Sequence, residues 1–242
     1  MIDICKALPE GADIQISVDG ERATLRSGRS RFTLGILPAK DYPIIEPLAS
    51  SYRFKLKENL LKRLIDKTHF AMAQQDVRYY LNGLLLEIAD GMIRTVATDG
   101  HRLALSEAEC DADAGLNTQV IIPRKAVLEL GRLLNDSDDS VEIDISSNHI
   151  RLMIGETVFT SKLIDGRFPD YNRVIPENSD KKVVASKEEL KQALQRTSIL
   201  SNEKYRGIRF QFGTGLLELL AHNPEQEEAQ EEMEIDYQGD DL

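Results

Sequence analysis

His101 follows Asp99 by two residues, and Ser106 and Cys110 lie a few positions further on. A histidine near a carboxylate, with a hydroxyl or thiol to activate, is the raw material of nucleophilic hydrolysis. Here the set stops short: no third group orients the base, and the sequence holds no oxyanion motif and no phosphate-binding glycine loop. His69, His149 and His222 stand in unrelated contexts without metal-ligand spacing. Cys5 and Cys110 are the only cysteines, which gives neither a disulfide framework nor a zinc pattern and fits a reducing cytoplasm. A hydrolase is the weak alternative; the residues argue for no catalysis, no metal and no cofactor.

A different chemistry recurs along the chain. Lys62, Arg63 and Lys67 form one cluster of cations, Arg124, Lys125 and Arg132 a second, and Lys187, Lys191 and Arg196 a third. Each cluster falls beside apolar residues at helical spacing, so each reads as the polar face of a helix. Such faces are often plain solvated surface, but their recurrence suits a polyanion held by its phosphates rather than its bases. The net charge of −11 opposes this only in sum, because nine acids and no base follow Pro224, leaving −2 for residues 1–224. A near-neutral body can present one basic face. With 41% hydrophobic and 29% charged residues the chain is expected to fold as a soluble globular protein. No run approaches the roughly 20 apolar residues of a membrane span, and no signal-peptide pattern opens the chain.

The elements that carry these cations repeat. Shifted by 127, Ile14, Ile16 and Val18 fall on Val141, Ile143 and Ile145, and without a gap Leu25 falls on Leu152, Gly28 on Gly155, and Phe32-Thr33 on Phe159-Thr160. Tyr42-Pro43 then meets Phe168-Pro169, and at a shift of 126 the segment from Ile4 to Leu8 meets Leu130 to Leu134. At 129 the octet LKRLIDKT (Leu61–Thr68) overlies LKQALQRT (Leu190–Thr197); at 124 Gly83, Gly91 and Ala97 overlie Gly207, Gly215 and Ala221. Alternating strands match one another cheaply, but ungapped registers that also carry glycines, Phe-Thr and a helix octet do not. The expected organisation is the latter part of one module (1–50), a whole module (51–172) and the beginning of a third (173–242), cut mid-repeat at both ends.

The whole module reads as a strand at Arg53–Lys57 and a helix from Glu58 to Met72. Strands Gly83–Ala89 and Met92–Thr98 follow around an Asp90-Gly91 turn. A strand near His101–Glu107 leads through a polar loop to Gln119–Ile122. A second helix opens with Pro123 in its first turn and buries Ala126, Val127, Leu130, Leu133 and Leu134. Strands Val141–Ser146, His149–Ile154 and Thr157–Leu163 close the module. The third module starts with a capping box, Ser186 to Glu189, and a stripe of Leu190, Ala193, Leu194 and Thr197.

Four segments are distinctive: QQDVRYYLNG (Gln74–Gly83), TVATDGHRLA (Thr95–Ala104), TSKLIDGRFPDY (Thr160–Tyr171) and ILSNEKYRG (Ile199–Gly207). Together they resemble the beta subunit of bacterial DNA polymerase III, the sliding clamp, and the likeness extends from the DIC helix at Asp3 to the acidic NPEQEEA stretch. The resemblance implies an α+β DNA clamp fold. Each repeated module has two helices on one face and antiparallel sheets forming the outer wall, and two three-module subunits join head to tail around duplex DNA. It implies a processivity factor of DNA replication with no chemistry of its own, a subunit of a DNA-directed DNA polymerase (a nucleotidyltransferase) rather than an enzyme. A repeat scaffold that binds only proteins is the other alternative.

The same resemblance implies three sets of site residues. DNA, without sequence preference, is expected at Lys62, Arg63, Lys67, Arg124, Lys125, Arg132, Lys191 and Arg196, about half of them facing the hole, and at the loop carrying Gln75, Arg78, Tyr79 and Tyr80. For the two tyrosines, partial burial at a strand edge is an equal reading. The replicative polymerase, the clamp loader and other clamp-binding proteins are expected to insert short peptides between the second and third modules. The expected wall is Leu81, Thr98, Gly100, His101, Arg102, Leu103, Pro169, Arg173 and Val174. The homodimer joint is expected to set Arg29, Arg31, Phe32 and Leu34, with Arg22 and Arg26 near by, against Ile199, Leu200, Glu227, Glu228 and Glu231. No membrane partner is expected.

Overall fold

The computed structural model describes residues 1–42, 52–110, 117–177 and 179–240. The repeat match at Pro43, the 50/51 module boundary, most of the polar loop before Gln119 and Asp241 lie outside the described residues. The chain divides into two compact units, Met1–Phe168 and Pro169–Leu242. Among the described residues no helix is long and apolar enough to cross a membrane.

In the first unit, helix α1 (Ile2–Ala7) precedes strands β1 (Gln15–Asp19), β2 (Arg22–Ser27) and β3 (Ser30–Gly35), which form an antiparallel sheet in that order. Next come β4 (Tyr52–Lys57), α2 (Glu58–Asp66), β5 (Gly83–Ala89), β6 (Met92–Thr98), β7 (Leu103–Glu109) and β8 (Thr118–Pro123). Helix α3 (Arg124–Leu133) leads to β9 (Ser140–Ile145), β10 (His149–Ile154) and β11 (Thr157–Lys162). Two four-stranded sheets result, ordered β11-β10-β9-β4 and β7-β6-β5-β8. Leu61, Leu64 and Ile65 of α2 and Ala126, Val127 and Leu130 of α3 share one core with Leu84, Leu86, Ile93, Val141, Ile143 and Leu152 of the sheets. That core is what turns the cationic sides of both helices outward.

In the second unit, α4 (Lys187–Thr197) packs on a sheet ordered β12 (Arg209–Gly213), β13 (Leu216–His222) and β14 (Glu228–Glu234). Its core joins Ala193 to Leu217, Leu219, Met233, Ile235 and Tyr237. The Ser186 hydroxyl accepts the Glu189 N–H at 3.4 Å, so the backbone half of the expected capping box is present.

The repeat appears in the strand registers. Ile16 pairs Leu25 and Leu25 pairs Phe32, while 127 residues on Ile143 pairs Leu152 and Leu152 pairs Phe159. The turn glycines Gly28 and Gly155 share a left-handed φ of 53° and 55°. Likewise Leu85 pairs Val96 in one unit and Arg209 pairs Leu220 in the other. Thr68 and Thr197, both fully buried, bond back to the carbonyls of Leu64 and Ala193 at 2.7 and 2.9 Å.

Several expectations need correction. Helix α2 stops at Asp66 rather than Met72: Thr68 leaves the helical region (φ −130°) and a 3-10 turn, His69–Ala71, takes over. Strand β7 begins at Leu103, because Asp99–Arg102 is a turn with Gly100 at φ +88°. Pro123 precedes the first helical residue as its cap position, with ψ 145°. Leu133 is 37% exposed rather than in the buried stripe, since the apolar arc of α3 is filled by Ala126, Val127, Leu130 and Leu134. Leu190 and Leu194 are only half-buried. The closing strands end a residue early, at Ile145 and Lys162.

Candidate DNA-facing helices and peptide-facing turn

The helix cations divide by what already holds them. Lys62 donates to the Gly131 carbonyl at 3.3 Å and pairs with Asp66 at 3.3 Å, bracing α2 against α3. Arg124 is half-buried and donates to the Met72 carbonyl at 3.3 Å. Arg132 pairs with Glu129 one turn earlier at 2.8 Å. Arg196 forms a two-pronged pair with Glu231, at 2.6 and 2.9 Å. That last contact raises the affinity of the Arg196 guanidinium for its proton and lowers the Glu231 carboxyl below the usual glutamate value. Among the described residues Arg63, Lys67, Lys125 and Lys191 are exposed and have no acidic partner within ion-pair distance. Arg63 on α2 and Lys67 just past its end line an open cleft of 770 Å³ with Lys57, Lys62, Asp66, Asp136 and Asp138. Lys57 holds the Asp138 carboxyl down through a 2.7 Å contact, and Lys62 pairs with Asp66 in the same lining.

The loop after α2 is built around Asp76. Its backbone N–H donates to Asn82 Oδ1 at 2.9 Å, and Asn82 Nδ2 donates back to the Asp76 carbonyl at 2.8 Å. The Asp76 carboxylate accepts Arg78 Nε at 3.0 Å, Nη2 at 2.8 Å and the Arg78 backbone N–H at 2.8 Å, which holds its pKa down to about 2. Gln75 is exposed with a left-handed φ of 56°. Tyr79 is 56% exposed, Tyr80 half-buried, and their rings meet edge to face at 5.7 Å. The Tyr79 ring lies beside Gly166, which Tyr80 approaches through its Cβ.

Of the expected peptide wall, the first unit carries Leu81, Thr98, Gly100, His101, Arg102 and Leu103. Leu81 is buried at 2% exposure, which sets it beneath the surface rather than on it. The Asp99 carboxylate accepts the backbone N–H groups of His101 and Arg102 at 3.0 and 3.1 Å and Arg102 Nε at 3.2 Å. Burial pushes the Asp99 carboxyl up, and these donors together outweigh it and hold it below its usual value. Asp99 therefore serves the turn and not the His101 ring, which dismantles the His-carboxylate pair that made hydrolysis thinkable. Among the described residues no cluster of metal-ligating side chains occurs. The second unit carries Pro169, Arg173 and Val174, all exposed, with Arg173 paired to Asp170 at 2.9 Å.

The residues expected at the joint are likewise split. Arg29 and Arg31 are exposed on β3 and its turn, with Phe32 and Leu34 half-buried. In the second unit Ile199 is 76% exposed and Leu200 half-buried. Glu228 is exposed, and Glu227 is held by Asn223 at 2.7 Å. Strand alternation on β14 puts Ala229, Glu231 and Met233 on the helix side and Glu228, Glu232 and Glu234 on the other. Glu231 thus faces α4 and is spent on Arg196. Sequence reading missed Asp76, Asn82, Phe70 and Glu58, whose partners make the loop and helix ends rigid. Only the Asp76-x-Arg78 spacing, suited to a carboxylate capping its own turn, hinted at any of them.

Family models match nearly the whole chain. The DNA polymerase III beta subunit N-terminal domain matches residues 1–46, its central domain 55–170 and its C-terminal domain 172–242. The beta sliding clamp of Pseudomonas aeruginosa is 53% identical over 242 residues, covering 100% of this chain and 66% of that relative. The Escherichia coli K12 clamp is 51% identical over 240 residues, covering 98% of this chain and 64% of its own length. A crystal structure of the P. aeruginosa sliding clamp bound to griselimycin matches with a TM-score of 0.89 at 53% identity, over 100% of this chain and 65% of that one. The chain spans about two thirds of the length of these relatives, and it belongs to the DNA polymerase III beta subunit family, the bacterial beta sliding clamps.

Proposed function

We propose that this chain is part of a sliding clamp: a processivity factor that encircles duplex DNA as a head-to-tail homodimer and tethers the replicative polymerase, the clamp loader and other DNA-processing proteins. It performs no chemistry of its own and works in the cytoplasm. Residues 1–50, 51–172 and 173–242 are read as the latter part of a first module, a whole second module and the start of a third. The observation that carries the reading is the set of unpaired cations, Arg63, Lys67, Lys125 and Lys191, on helices packed in the clamp fold. Cations free of acidic partners release counterions when they meet phosphate, and point charges without base contacts allow sliding. Tyr79 and Gln75 extend the DNA surface.

For the protein partners, we propose that Thr98, Gly100, His101, Arg102 and Leu103 of the first unit and Pro169, Arg173 and Val174 of the second take part in binding short peptides. A P. aeruginosa sliding clamp has been crystallised bound to griselimycin, which supports a ligand-binding surface on this fold. Arg29, Arg31, Phe32 and Leu34 are assigned to one side of the subunit joint and Ile199, Leu200, Glu227 and Glu228 to the other.

The test is binding of the 242-residue chain to short duplexes of several random sequences across a salt series. Weak binding that is equal for all sequences and falls steeply with salt is expected. Binding that depends on sequence or ignores salt, or turnover of a nucleic-acid substrate that vanishes in His101→Ala, would overturn the reading.

A further inference from the structure

The Gln75–Tyr80 loop and the Asp99–Arg102 turn belong to two different surfaces in the function proposed above, one for DNA and one for peptides. In the structure a single guanidinium joins them. Arg78 grips both oxygens of the Asp76 carboxylate, at 3.0 and 2.8 Å, and its Nη2 also donates to the Asp99 carbonyl at 3.2 Å. Gly100 lets the guanidinium lie against the turn: its φ is +88°, and a Cβ there would stand 2.9 Å from Arg78 Nη1. From Asp99 the connections continue through its carboxylate to the N–H groups of His101 and Arg102. The Thr98 hydroxyl accepts the Gly100 N–H at 3.0 Å and donates to the Arg102 carbonyl at 2.7 Å. Arg102 then reaches the Phe70 carbonyl at 2.8 Å and stacks over the Phe70 ring at 5.6 Å. Asp76 is itself pinned by Asn82, so in this chain of contacts the exposed Arg78 side chain is the direct link between loop and turn.

We propose that Arg78 is a positioning residue that locks the peptide-facing turn Asp99–Arg102 to the DNA-facing loop, so that DNA phosphate captured at the loop loosens the turn. A phosphate offers an arginine fork the same two-oxygen acceptor that Asp76 offers. Swinging the guanidinium onto it withdraws the donor from the Asp99 carbonyl and the support from beneath Gly100. The coupling is negative, and by linkage a peptide that stabilises the turn weakens phosphate capture at the loop by the same factor. The inference rests on the DNA and peptide assignments above for its meaning, and on the first unit alone for its geometry.

Amide hydrogen exchange of the 242-residue chain tests it in two steps. Without DNA, Arg78→Gln should speed exchange at Gly100, His101 and Arg102 by roughly tenfold, the size expected for losing a charge-assisted hydrogen bond. Ile88 and Ile93 in the sheet should keep their wild-type rates. Turn amides as protected as in the wild type, or equal acceleration throughout the unit, would overturn the lock. With a short random-sequence duplex added, the wild-type turn should exchange faster and Arg78→Gln should show no further change. A turn indifferent to the duplex while amides around Lys125 respond, or one that responds equally in Arg78→Gln, would overturn the coupling. Failure of the DNA reading itself has a separate signature: the duplex would perturb no amide on α2 or α3 either.

Discussion

Arg196 on α4 and Glu231 on β14 lie 35 residues apart in sequence and form a bidentate ion pair, Nε to Oε1 at 2.6 Å and Nη2 to Oε2 at 2.9 Å. The sequence reading expects Arg196 at DNA and Glu231 at the subunit joint. In this structure each is the other's counterion, in a helix-to-sheet contact inside the second unit.

This pair gives the second unit a pH dependence of known sign. The Glu231 carboxyl sits below its ordinary value of 4.5 because Arg196 bonds to the charged form. A depressed folded pKa adds stability that is fully present above the unfolded value and lost as pH falls through the folded one. Glu231→Gln should therefore lower the unfolding midpoint of the second unit at pH 7, and the difference from wild type should shrink to nothing in acid below the glutamate range. An equal difference at both ends of the titration would contradict the pairing.

The same contact ranks the cations for DNA. Lys125 and Lys67 are unpaired and Arg196 is not, so charge reversal at Lys125 or Lys67 should each flatten the salt dependence of duplex binding by about one unit of slope. Arg196→Ala should change it little, whereas Glu231→Gln, which frees the guanidinium, should raise affinity. Salt titrations by fluorescence anisotropy read all four variants, and a larger loss from Arg196→Ala than from Lys125→Glu would reverse the ranking.

Glu58 tests how helix α2 is anchored. It is buried at 4% exposure, and its carboxylate accepts the Asn135 backbone N–H at 2.6 Å, the Asn135 side chain at 3.2 Å and the Ser137 hydroxyl at 2.8 Å. Glu58→Ala takes the acceptor away from the exposed Asn135 and the half-buried Ser137 and should destabilise the first unit by about 1 kcal/mol in urea unfolding. Because the backbone bond from Asn135 lowers the Glu58 pKa most, the wild-type advantage should also fade in acid.

Ile16 and Ile143 occupy equivalent repeat positions but not equivalent environments, at 54% and 0% exposure. Strand β9 is flanked by β10 and β4, while among the described residues β1 pairs only with β2. Ile143→Ala should cost about 2–5 kcal/mol, and Ile16→Ala less than about 0.5 kcal/mol. Comparable losses at both sites would mean that β1 is covered in solution.

What the sequence by itself determined is local or repeated. Alternation and turn glycines set β5, β6 and β10 to the residue, and the 124- and 127-residue shifts carried the β5–β6 and β9–β10 registers between modules because a register needs only period two and a fixed turn. The cationic faces of α2, α3 and α4 followed from the apolar stripes opposite them. The tertiary structure decided which of those cations are free. Arg196, Arg124 and Lys62 meet partners 35, 52 and 69 residues away, and no spacing rule brings such groups together. It also decided how the start of α2 is capped. Lys57 is no capping residue, and the first N–H groups of the helix are satisfied by the carbonyls of Asp139 and Ser137, at 2.8 and 2.9 Å, from the loop that follows α3. Arg78 looked like an exposed loop cation on a DNA surface; the fold brought Asp99 and Gly100 beneath it, and packing rather than residue type gave it a role in holding the turn.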